Sequence, residues 1–257
     1  GFDMDFLLHF NTDCYNALFR CEEAFFSKKG KGDIGIFAAE YKDLYASTQG
    51  KGLVCIPSGN HDMVRLSKGR DMEELKVCFA FLLSMPGAPF IYYGDEIGMR
   101  YVEGLTSVEG GFGRTGSRTP MQWDEGVNCG FSTASPDRLY IQLDEDNDHP
   151  TVDKQLKEEA SLLNEVKKLI AIRQNYPALQ SCGEFEFIYA KEYQYPLVYL
   201  RKSGGQEIIV AINPSGREES CVIDRTVSET IYTVGGTSAV RDGILQMPPC
   251  SAAFFAG

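Results

Sequence analysis

The chain has 257 residues, of which 43% are hydrophobic and 24% charged, and its formal net charge is −11. This length is enough for one large folded domain or two smaller ones. An acidic surface repels phosphate groups, so the charge argues against nucleic acid and anionic membranes as partners but not against a neutral substrate. Apolar runs such as Phe79–Leu83 are far shorter than the roughly twenty residues that span a bilayer.

The cysteines and histidines argue against a metal centre. The eight cysteines are irregularly spaced and form no CxxC pair, so we expect neither a disulfide framework nor a zinc cage. With only His9, His61 and His149 available, we expect no metal site and no cofactor. Unpaired thiols favour the cytoplasm. The chain enters an apolar run directly after Gly1, which suggests a cut end and leaves the localisation unknown.

The first hundred residues alternate strand-like and helix-like segments. Short apolar runs predict buried strands, and four-residue periodicity predicts helices. The strands are expected at Gly1–Phe10, Gly52–Pro57 and Ala88–Tyr93, and the helices at Asp33–Gly50 and Asp71–Ser84. Such alternation is typical of parallel strands joined by crossover helices. In α/β barrels, catalytic residues lie at the carboxyl ends of the strands.

The rest of the chain has two regions with different sequence patterns. Residues 101–150 form a long polar, glycine-rich stretch, and loops of this length are uncommon unless functional. Val152–Tyr176 predicts one amphipathic helix with Leu156, Leu163 and Val166 on its apolar face. After Ser181, short β-type runs separated by turn residues predict a small antiparallel sandwich.

Two acidic clusters follow predicted strands. Ser58–Asp62 spells Ser-Gly-Asn-His-Asp, and Asp95 and Glu96 follow the third strand. Carboxylates on neighbouring strand ends are what a glycosidase needs, so spacing alone nominates Asp62 and Glu96. The alternative is structural: an Asp–His pair that caps a strand end, and Asp95 and Glu96 hydrogen-bonded to the following loop.

Two further features have ordinary explanations. Gly111–Gly116 matches GxGxxG, but a dinucleotide site needs a strand before the motif and a helix after it, so we interpret the match as coincidence. Trp123 is the only tryptophan. An indole can stack on a sugar ring, yet a lone tryptophan more often anchors a long loop, which is the interpretation we favour.

Three segments, in this order, resemble the α-amylase family, glycoside hydrolase family 13, and most closely its α-glucosidase, oligo-1,6-glucosidase and trehalose synthase-type members. They are Ser58–Asp62, Pro86–Met99 and Arg118–Asp124 (Arg-Thr-Pro-Met-Gln-Trp-Asp), and Leu163–Arg173 is similar to the family's last barrel helix. The resemblance implies an α/β fold in which residues 1–178 are the C-terminal portion (strands 6–8) of a (β/α)₈ TIM barrel. An all-β antiparallel sandwich domain at residues 179–257 would follow.

The resemblance also implies site residues and a substrate. Asp62 would be the catalytic residue that stabilises the transition state, and His61 and Asn60 would bind substrate. Asp95, Glu96, Arg118 and Trp123 would be structural or support those residues. The substrate would be an α-linked glucose oligosaccharide, cleaved with retention of configuration in carbohydrate metabolism. Its linkage, and hydrolysis versus transglycosylation, stay open.

The chain departs from the family pattern in one respect. The nucleophilic aspartate and the acid/base glutamate belong after the fourth and fifth strands, and Gly1–Phe10 resembles the sixth. We therefore expect the chain alone to be inactive and to dimerise or rearrange through exposed barrel edges. A calcium site of the complete protein would also lie upstream. The alternatives are a non-catalytic relative acting as a binding or assembly module, and a natural split enzyme. Retention of His61 and Asp62 favours the enzyme.

Overall fold

The computed structural model describes residues 3–106 and 112–257. Its helices and strands are, in chain order, β1 (Met4–Phe6), α1 (Leu7–Phe10), α2 (Thr12–Phe19), α3 (Ile34–Thr48), β2 (Leu53–Cys55), α4 (Met72–Ser84), α5 (Val152–Lys157), α6 (Leu162–Asn175), β3 (Glu184–Tyr189), β4 (Leu197–Ser203), β5 (Gln206–Asn213), β6 (Glu219–Val222), β7 (Glu229–Val234), β8 (Ala239–Arg241), β9 (Ile244–Met247) and β10 (Ser251–Ala256). Short 3₁₀ helices lie at Asp95–Ile97, Phe112–Ser117, Val127–Gly130, Pro136–Arg138 and Pro177–Leu179.

The chain divides into two compact units. The first unit consists of Gly1–Ile56, Lys76–Phe90 and Leu169–Gly257, and the second of Pro57–Leu75 and Ile91–Lys168. The first unit therefore includes residues from both sides of the predicted boundary at 178/179. The domain boundary at 178/179 stays a prediction based on the change in sequence pattern there.

Local capping explains the two helices predicted among the first hundred residues. The Asp33 carboxylate accepts a hydrogen bond of 2.7 Å from the Gly35 amide at the start of α3. At the start of α4, the Asp71 amide donates to Glu74 Oε2 and the Glu74 amide donates to Asp71 Oδ1, both at 2.9 Å. These contacts satisfy amides that have no partner inside the helix. Both predicted helices are confirmed.

The parallel strand pair is confirmed, but the first predicted strand is too long. Met4 pairs with Leu53 and Phe6 with Cys55 in parallel register, while the described residues after Phe6 turn into α1. The His9 ring lies 2.6 Å from Asp5 Oδ1, one helical turn away. This pairing stabilises a turn where a strand was expected, and Gly1 and Phe2 of the predicted strand lie outside the described residues.

Ala88–Tyr93 is not a buried strand. The segment has a single bridge residue, Phe90, and ends in a turn at Tyr93; Phe90 is 40% exposed. Gly87, just before it, has φ +85°, and a Cβ there would lie 2.2 Å from the Val54 carbonyl oxygen. An apolar run becomes a strand only where a neighbouring strand pairs with it along its length.

The C-terminal strands form two antiparallel sheets with one shared core. The five-stranded sheet has the order β3-β4-β5-β10-β7, and the three-stranded sheet has the order β6-β9-β8. Alternate side chains of both sheets are buried together, among them Leu200, Ile209 and Phe255 from one sheet and Cys221 and Leu245 from the other. Alternate residues of each strand face this shared core, and in β4, β5 and β10 the other face is buried as well.

Aromatic side chains join these strands to the helices of the first unit. The Phe37 ring lies 5.8 Å from that of Phe81 and 6.1 Å from that of Phe187. Arg201 is fully buried and donates to main-chain carbonyls, including that of Gln180 at 2.7 Å. Because these carbonyls solvate the guanidinium, the charge is retained inside the unit.

The predicted helix at Val152–Tyr176 is divided into α5 and α6. The Ser161 hydroxyl donates to the Gln155 carbonyl at 2.7 Å, and Gln155 Oε1 accepts from the Leu163 amide at 2.9 Å. These side-chain bonds compete with helical main-chain bonds. Leu156, expected on the apolar face, is 50% exposed. Among the described residues, no helix combines the length and the apolar character that crossing a bilayer requires.

Candidate functional site

The predicted residues Asn60, His61 and Asp62 lie in an exposed turn of the second unit. The Asn60 side-chain oxygen accepts a 2.8 Å hydrogen bond from the Asp62 amide, which closes a tight turn. The His61 side chain is 67% exposed and that of Asp62 47%, and His61 Nε2 lies 3.4 Å from Asp62 Oδ2. The turn therefore presents an imidazole and a carboxylate together to solvent.

Two arginines bind the Asp62 carboxylate. Arg114 Nη1 donates to Asp62 Oδ1 at 2.7 Å, and Arg118 Nη2 donates to the same oxygen at 3.0 Å. Arg118 Nε also donates to the His61 carbonyl at 2.9 Å. We call Asp62, Arg114 and Arg118 the exposed cluster. The two arginines orient the carboxylate while leaving it half-exposed.

Arg114 was missed in the sequence. It lies in the 3₁₀ helix Phe112–Ser117, within the Gly111–Gly116 match that was set aside as coincidence. Gly111 is outside the described residues. Arg114 and Asp62 are 52 residues apart, so no local spacing links them. The only indication of Arg114 in the sequence was chemical. Arg114 precedes Arg118 by four residues, and each can offer a guanidinium group to a carboxylate in this acidic chain.

A second aspartate is buried beside the turn. Asp95 Oδ2 accepts from the Ser58 hydroxyl at 2.7 Å, and Asp95 Oδ1 lies 3.4 Å from Arg65 Nη1. Both charged side chains are 0% exposed. Arg65 Nη1 also donates to the Tyr93 carbonyl at 2.7 Å. We call Ser58, Arg65 and Asp95 the buried cluster. It ties the segments on both sides of the exposed turn to Asp95, and the structural role expected of Asp95 stays a prediction.

The aromatic rings beside Arg65 complete its surroundings. Its guanidinium lies 5.2 Å from the Tyr92 ring centroid and 5.0 Å from that of Tyr93, distances typical of cation–π contacts. Arg65 Nε and Nη2 have no hydrogen-bond partner among the described residues. Asp95 and the ring faces therefore provide the compensation that a buried charge requires.

Glu96 differs from Asp95 although it is the next residue. Burial raises the pKa of the Glu96 carboxyl, and the neighbouring Asp95 charge raises it further, against hydrogen bonds from the Glu96 and Gly94 amides and the Arg65 charge. Its Oε2 is buried and has no hydrogen-bond partner among the described residues. The side chain lines a cleft instead of joining the buried cluster.

This cleft, which we call the Trp123 cleft, has a volume of about 480 Å³. Its lining is mainly aromatic and aliphatic, with two charged side chains: Tyr93, Glu96, Arg118, Pro120, Met121, Trp123, Phe131, Leu139, Tyr140 and Ile141. The Trp123 side chain is not buried as expected for a loop anchor, since the residue is 49% exposed. Its main chain anchors the loop, because the amide donates to the Cys129 carbonyl and the carbonyl accepts from the Asp153 amide, both at 2.9 Å.

The described residues contain no group of three or more histidine, cysteine, aspartate or glutamate side chains arranged to hold a metal ion. The expectation of no cofactor stays a prediction. The exposed cluster and the adjacent His61 offer hydrogen-bonding and charged groups: one carboxylate, two guanidinium groups and an imidazole. Such groups bind sugar hydroxyls and stabilise positive charge that develops at an anomeric carbon.

A family model and known proteins match the chain. The model described as "Alpha amylase, catalytic domain" matches residues 18–182. The trehalose synthase/amylase TreS of Mycobacterium tuberculosis is 37% identical over 141 residues, which are 53% of this chain and 22% of that protein. The probable oligo-1,6-glucosidase 3 of Bacillus subtilis is 30% identical over 217 residues, covering 72% of this chain and 38% of that protein.

A solved structure is similar to the chain in fold. An inactive double mutant of MutB in complex with isomaltulose is 21% identical, covers 99% of this chain and 50% of its own, and has a TM-score of 0.80. The chain thus spans half or less of the length of these relatives. Because the family model covers more than half of the chain and includes the exposed turn and both arginine–aspartate clusters, the chain belongs to the alpha-amylase family.

Proposed function

We propose that the chain supplies the Asp62 side of a retaining active site, in a protein that acts on α-glucosidic bonds of glucose oligosaccharides. The observation that carries the proposal is the exposed cluster: a half-exposed carboxylate hydrogen-bonded by Arg114 and Arg118, beside His61. The relatives' names, trehalose synthase and oligo-1,6-glucosidase, support α-linked glucosides as the substrate class.

The proposed architecture follows from the family. Residues 1–178 would contribute strands 6–8 of a (β/α)₈ barrel, and residues 179–257 a β-sandwich domain. The parallel pair of β1 and β2 and the two antiparallel sheets support this assignment. The turn that carries Asp62 follows β2 in the chain, at the strand end where barrel enzymes place catalytic groups.

The role of Asp62 is to bind and stabilise. Sugar hydroxyls would replace part of the arginine contacts on Oδ1, and the carboxylate would stabilise the oxocarbenium-like transition state. Asn60 and His61 would position the same sugar. Retaining cleavage also needs a nucleophile and an acid/base group, which in this proposal come from polypeptide other than these 257 residues.

Hydrolysis and isomerisation are both compatible with this role. The two reactions share cleavage of the glucosidic bond and differ in whether water or a sugar hydroxyl accepts the glucosyl group. The non-catalytic alternative, a binding or assembly module, would not require an exposed carboxylate held by two arginines. Dimerisation through the free edges of the β1–β2 pair is a separate proposal, checked by sedimentation of the isolated chain.

The test uses the complete protein with maltose as substrate. Asp62→Asn should lower kcat/KM by about three orders of magnitude, because the charge that stabilises the transition state is lost. Asp43→Asn, which changes an exposed aspartate of α3, is the matched control and should leave kcat/KM unchanged. Near-normal turnover by the Asp62 variant would refute the assigned role. Glucose release by the isolated 257-residue chain would refute the division of catalytic groups.

A further inference from the structure

Two buried arginines of the first unit meet the C-terminal end of α4. Arg173 Nη1 donates to the Leu83 and Met85 carbonyls, both at 2.8 Å. Arg201 Nη1 donates to the carbonyl between them in the chain, that of Ser84. Arg173 is 7% exposed and Arg201 is 0% exposed. The last carbonyls of a helix have no partner inside it and carry partial negative charge, so they suit guanidinium groups.

The helix end compensates the two charges only in part. In the portion of the chain that the structure describes, neither guanidinium forms an ion pair with a carboxylate. Two full positive charges therefore face a helix end equivalent to about half a negative charge. Burial and the charge of Arg201 lower the pKa of Arg173 to about 10, so Arg173 is protonated at neutral pH. This region of an acidic chain is thus locally positive.

A pocket of about 550 Å³ opens beside Arg173, and we call it the Arg173 pocket. Among the described residues that line it, Arg173 alone is charged. Arg201 lies behind the wall, because its Nη2 donates to the Gln180 and Gly183 carbonyls at 2.7 and 3.1 Å and both of those residues line the pocket. The positive charge of both arginines therefore acts on the pocket without an acidic residue in its lining.

Arg173 has donors left for a ligand. A guanidinium has five N–H groups, and Arg173 makes three hydrogen bonds, the third from Nη2 to the Gly87 carbonyl at 2.6 Å. Its Nε has no hydrogen-bond partner among the described residues. Guanidinium groups bind oxyanions through such donors in short, charge-assisted hydrogen bonds. The side chains of Gln174, Ser181 and Ser203 also line the pocket and can donate to further oxygens.

The size and the lining of the pocket indicate the rest of the ligand. A volume of about 550 Å³ is within the range of small-molecule sites and is larger than one oxyanion fills. Leu83, Ile170 and Pro177 offer apolar surface, and Ser181 and Ser203 offer hydroxyl groups. A hydroxylated carbon skeleton that carries an anionic group matches both kinds of lining.

We propose that the Arg173 pocket binds a phosphate monoester of a sugar-sized polyol, with the phosphate at Arg173 and the skeleton along the serine hydroxyls. The net charge of −11 opposes an anion at long range. At physiological ionic strength, however, exposed charges more than about 8 Å away are largely screened, so the local groups decide. The pocket shares no residue with the exposed cluster or the Trp123 cleft, and the inference does not depend on the proposed function.

Cys182 reports on occupancy of the pocket. Of the eight free cysteines, Cys21 and Cys182 are exposed, and Cys182 lines the Arg173 pocket. Uncharged iodoacetamide should alkylate both thiols of the 257-residue chain. Glucose 6-phosphate at ten times its Kd should slow alkylation of Cys182 about tenfold, because only the unoccupied fraction reacts. The rate at Cys21 should not change. Peptide mass spectrometry measures both rates, calorimetry gives the Kd, and glucose is the neutral control.

Charge changes at the pocket test the assignment. Gln174 lines the pocket and is exposed on α6, so its substitution should preserve the fold. Gln174→Glu should raise the Kd about tenfold and Gln174→Lys should lower it about threefold, since each adds a charge near the phosphate. Gln246→Glu makes the same change at an exposed residue outside the pocket and should keep the Kd within about twofold.

Arg173→Lys tests the guanidinium itself. It keeps the charge but loses the fork of N–H groups, so the Kd should rise about tenfold. Circular dichroism shows whether this variant is folded, and the Gln174 variants test the proposal independently of that result.

An unchanged Cys182 rate with glucose 6-phosphate, or equal protection by glucose, would overturn the inference. So would equal Kd values for Gln174→Glu and Gln174→Lys. Inorganic phosphate that binds as tightly as glucose 6-phosphate would show that the pocket takes a free anion and would refute the phosphate ester as its ligand.

Discussion

The exposed cluster and the buried cluster use the same arginine–aspartate chemistry in opposite surroundings. Asp95 and Arg65 are 0% exposed, whereas Asp62 and Arg114 are 47% and 46% exposed. In the buried cluster, protein groups occupy both carboxylate oxygens of Asp95. In the exposed cluster, the carboxylate is accessible to a ligand. Burial thus distinguishes an aspartate whose carboxylate is occupied by protein groups from one whose carboxylate solvent can reach.

The energetic consequences of this difference are large. Removing one partner of a buried pair leaves an uncompensated charge and typically costs about 3–5 kcal/mol. An exposed pair contributes only about 0–1 kcal/mol, because water solvates the separated charges. The two clusters should therefore respond differently to the same substitution.

The largest expected effect on stability is at Asp95. Asp95→Ala should lower the free energy of unfolding by about 3–5 kcal/mol, because Arg65 stays buried without its counter-charge. Urea denaturation followed by circular dichroism measures the change. Asp62→Ala is the control and should change stability by about 1 kcal/mol or less. Equal losses from the two variants would remove the distinction between the clusters.

Ser58 tests how the buried cluster holds the turn. Its hydroxyl donates to Asp95 at 2.7 Å and accepts from the Tyr92 amide at 2.9 Å. Ser58→Ala should lower the free energy of unfolding by about 1–3 kcal/mol, since two buried groups lose their partner.

The matched control for Ser58 is Ser47→Ala, which removes an exposed hydroxyl that bonds the Leu44 carbonyl in α3. It should change stability by about 0.5 kcal/mol or less. A comparable loss from the two serine variants would indicate that the buried hydroxyl adds nothing to the cluster.

A double-mutant cycle sharpens the description of the exposed cluster. Asp62→Asn and Arg114→Ala together should reveal a coupling of about 0.2–1 kcal/mol at low salt. The coupling should fade near 1 M salt, where the screening length is about 3 Å. A coupling that persists undiminished in salt would mean that the pair is less accessible to solvent than its exposure indicates.

Glu96 gives the smallest and most pH-dependent effect. Since burial raises its pKa above the ordinary value of 4.5, the folded chain binds this proton more tightly than the unfolded chain. The contribution of Glu96 to stability is therefore present at low pH and is lost as the pH rises through the folded-state pKa. The free energy of unfolding of the Glu96→Gln variant minus that of the unchanged chain should therefore be larger at neutral pH than in acid.

Urea denaturation at neutral pH and in acid measures the effect of Glu96→Gln on the free energy of unfolding. The charged neighbours Asp95 and Arg65 are unchanged in the variant, so the difference isolates the Glu96 carboxyl. A difference of the opposite sign would show that the carboxyl is stabilised in its ionised form.

Features that depend on neighbouring residues could be predicted from the sequence. The caps at Asp33 and at Asp71 with Glu74 are local, and both helices begin where expected. Short β-type runs separated by turn residues likewise predicted the antiparallel strands after Ser181. The split between α5 and α6 could not be predicted, because helix periodicity continues across Ser161 while a side-chain network interrupts the main-chain bonds.

The sequence by itself determined which chemical groups are available: an Asn-His-Asp turn, a second pair of acidic residues, and Arg118 with Trp123. Only the tertiary structure decided what each group does. It brought Arg114 to Asp62 across 52 residues, Ser58 to Asp95 across 37 residues, and Glu96 into a cleft with Trp123. The physical reason is that ionisation, hydrogen bonding and access to ligand depend on burial and on distant partners, which local spacing does not specify.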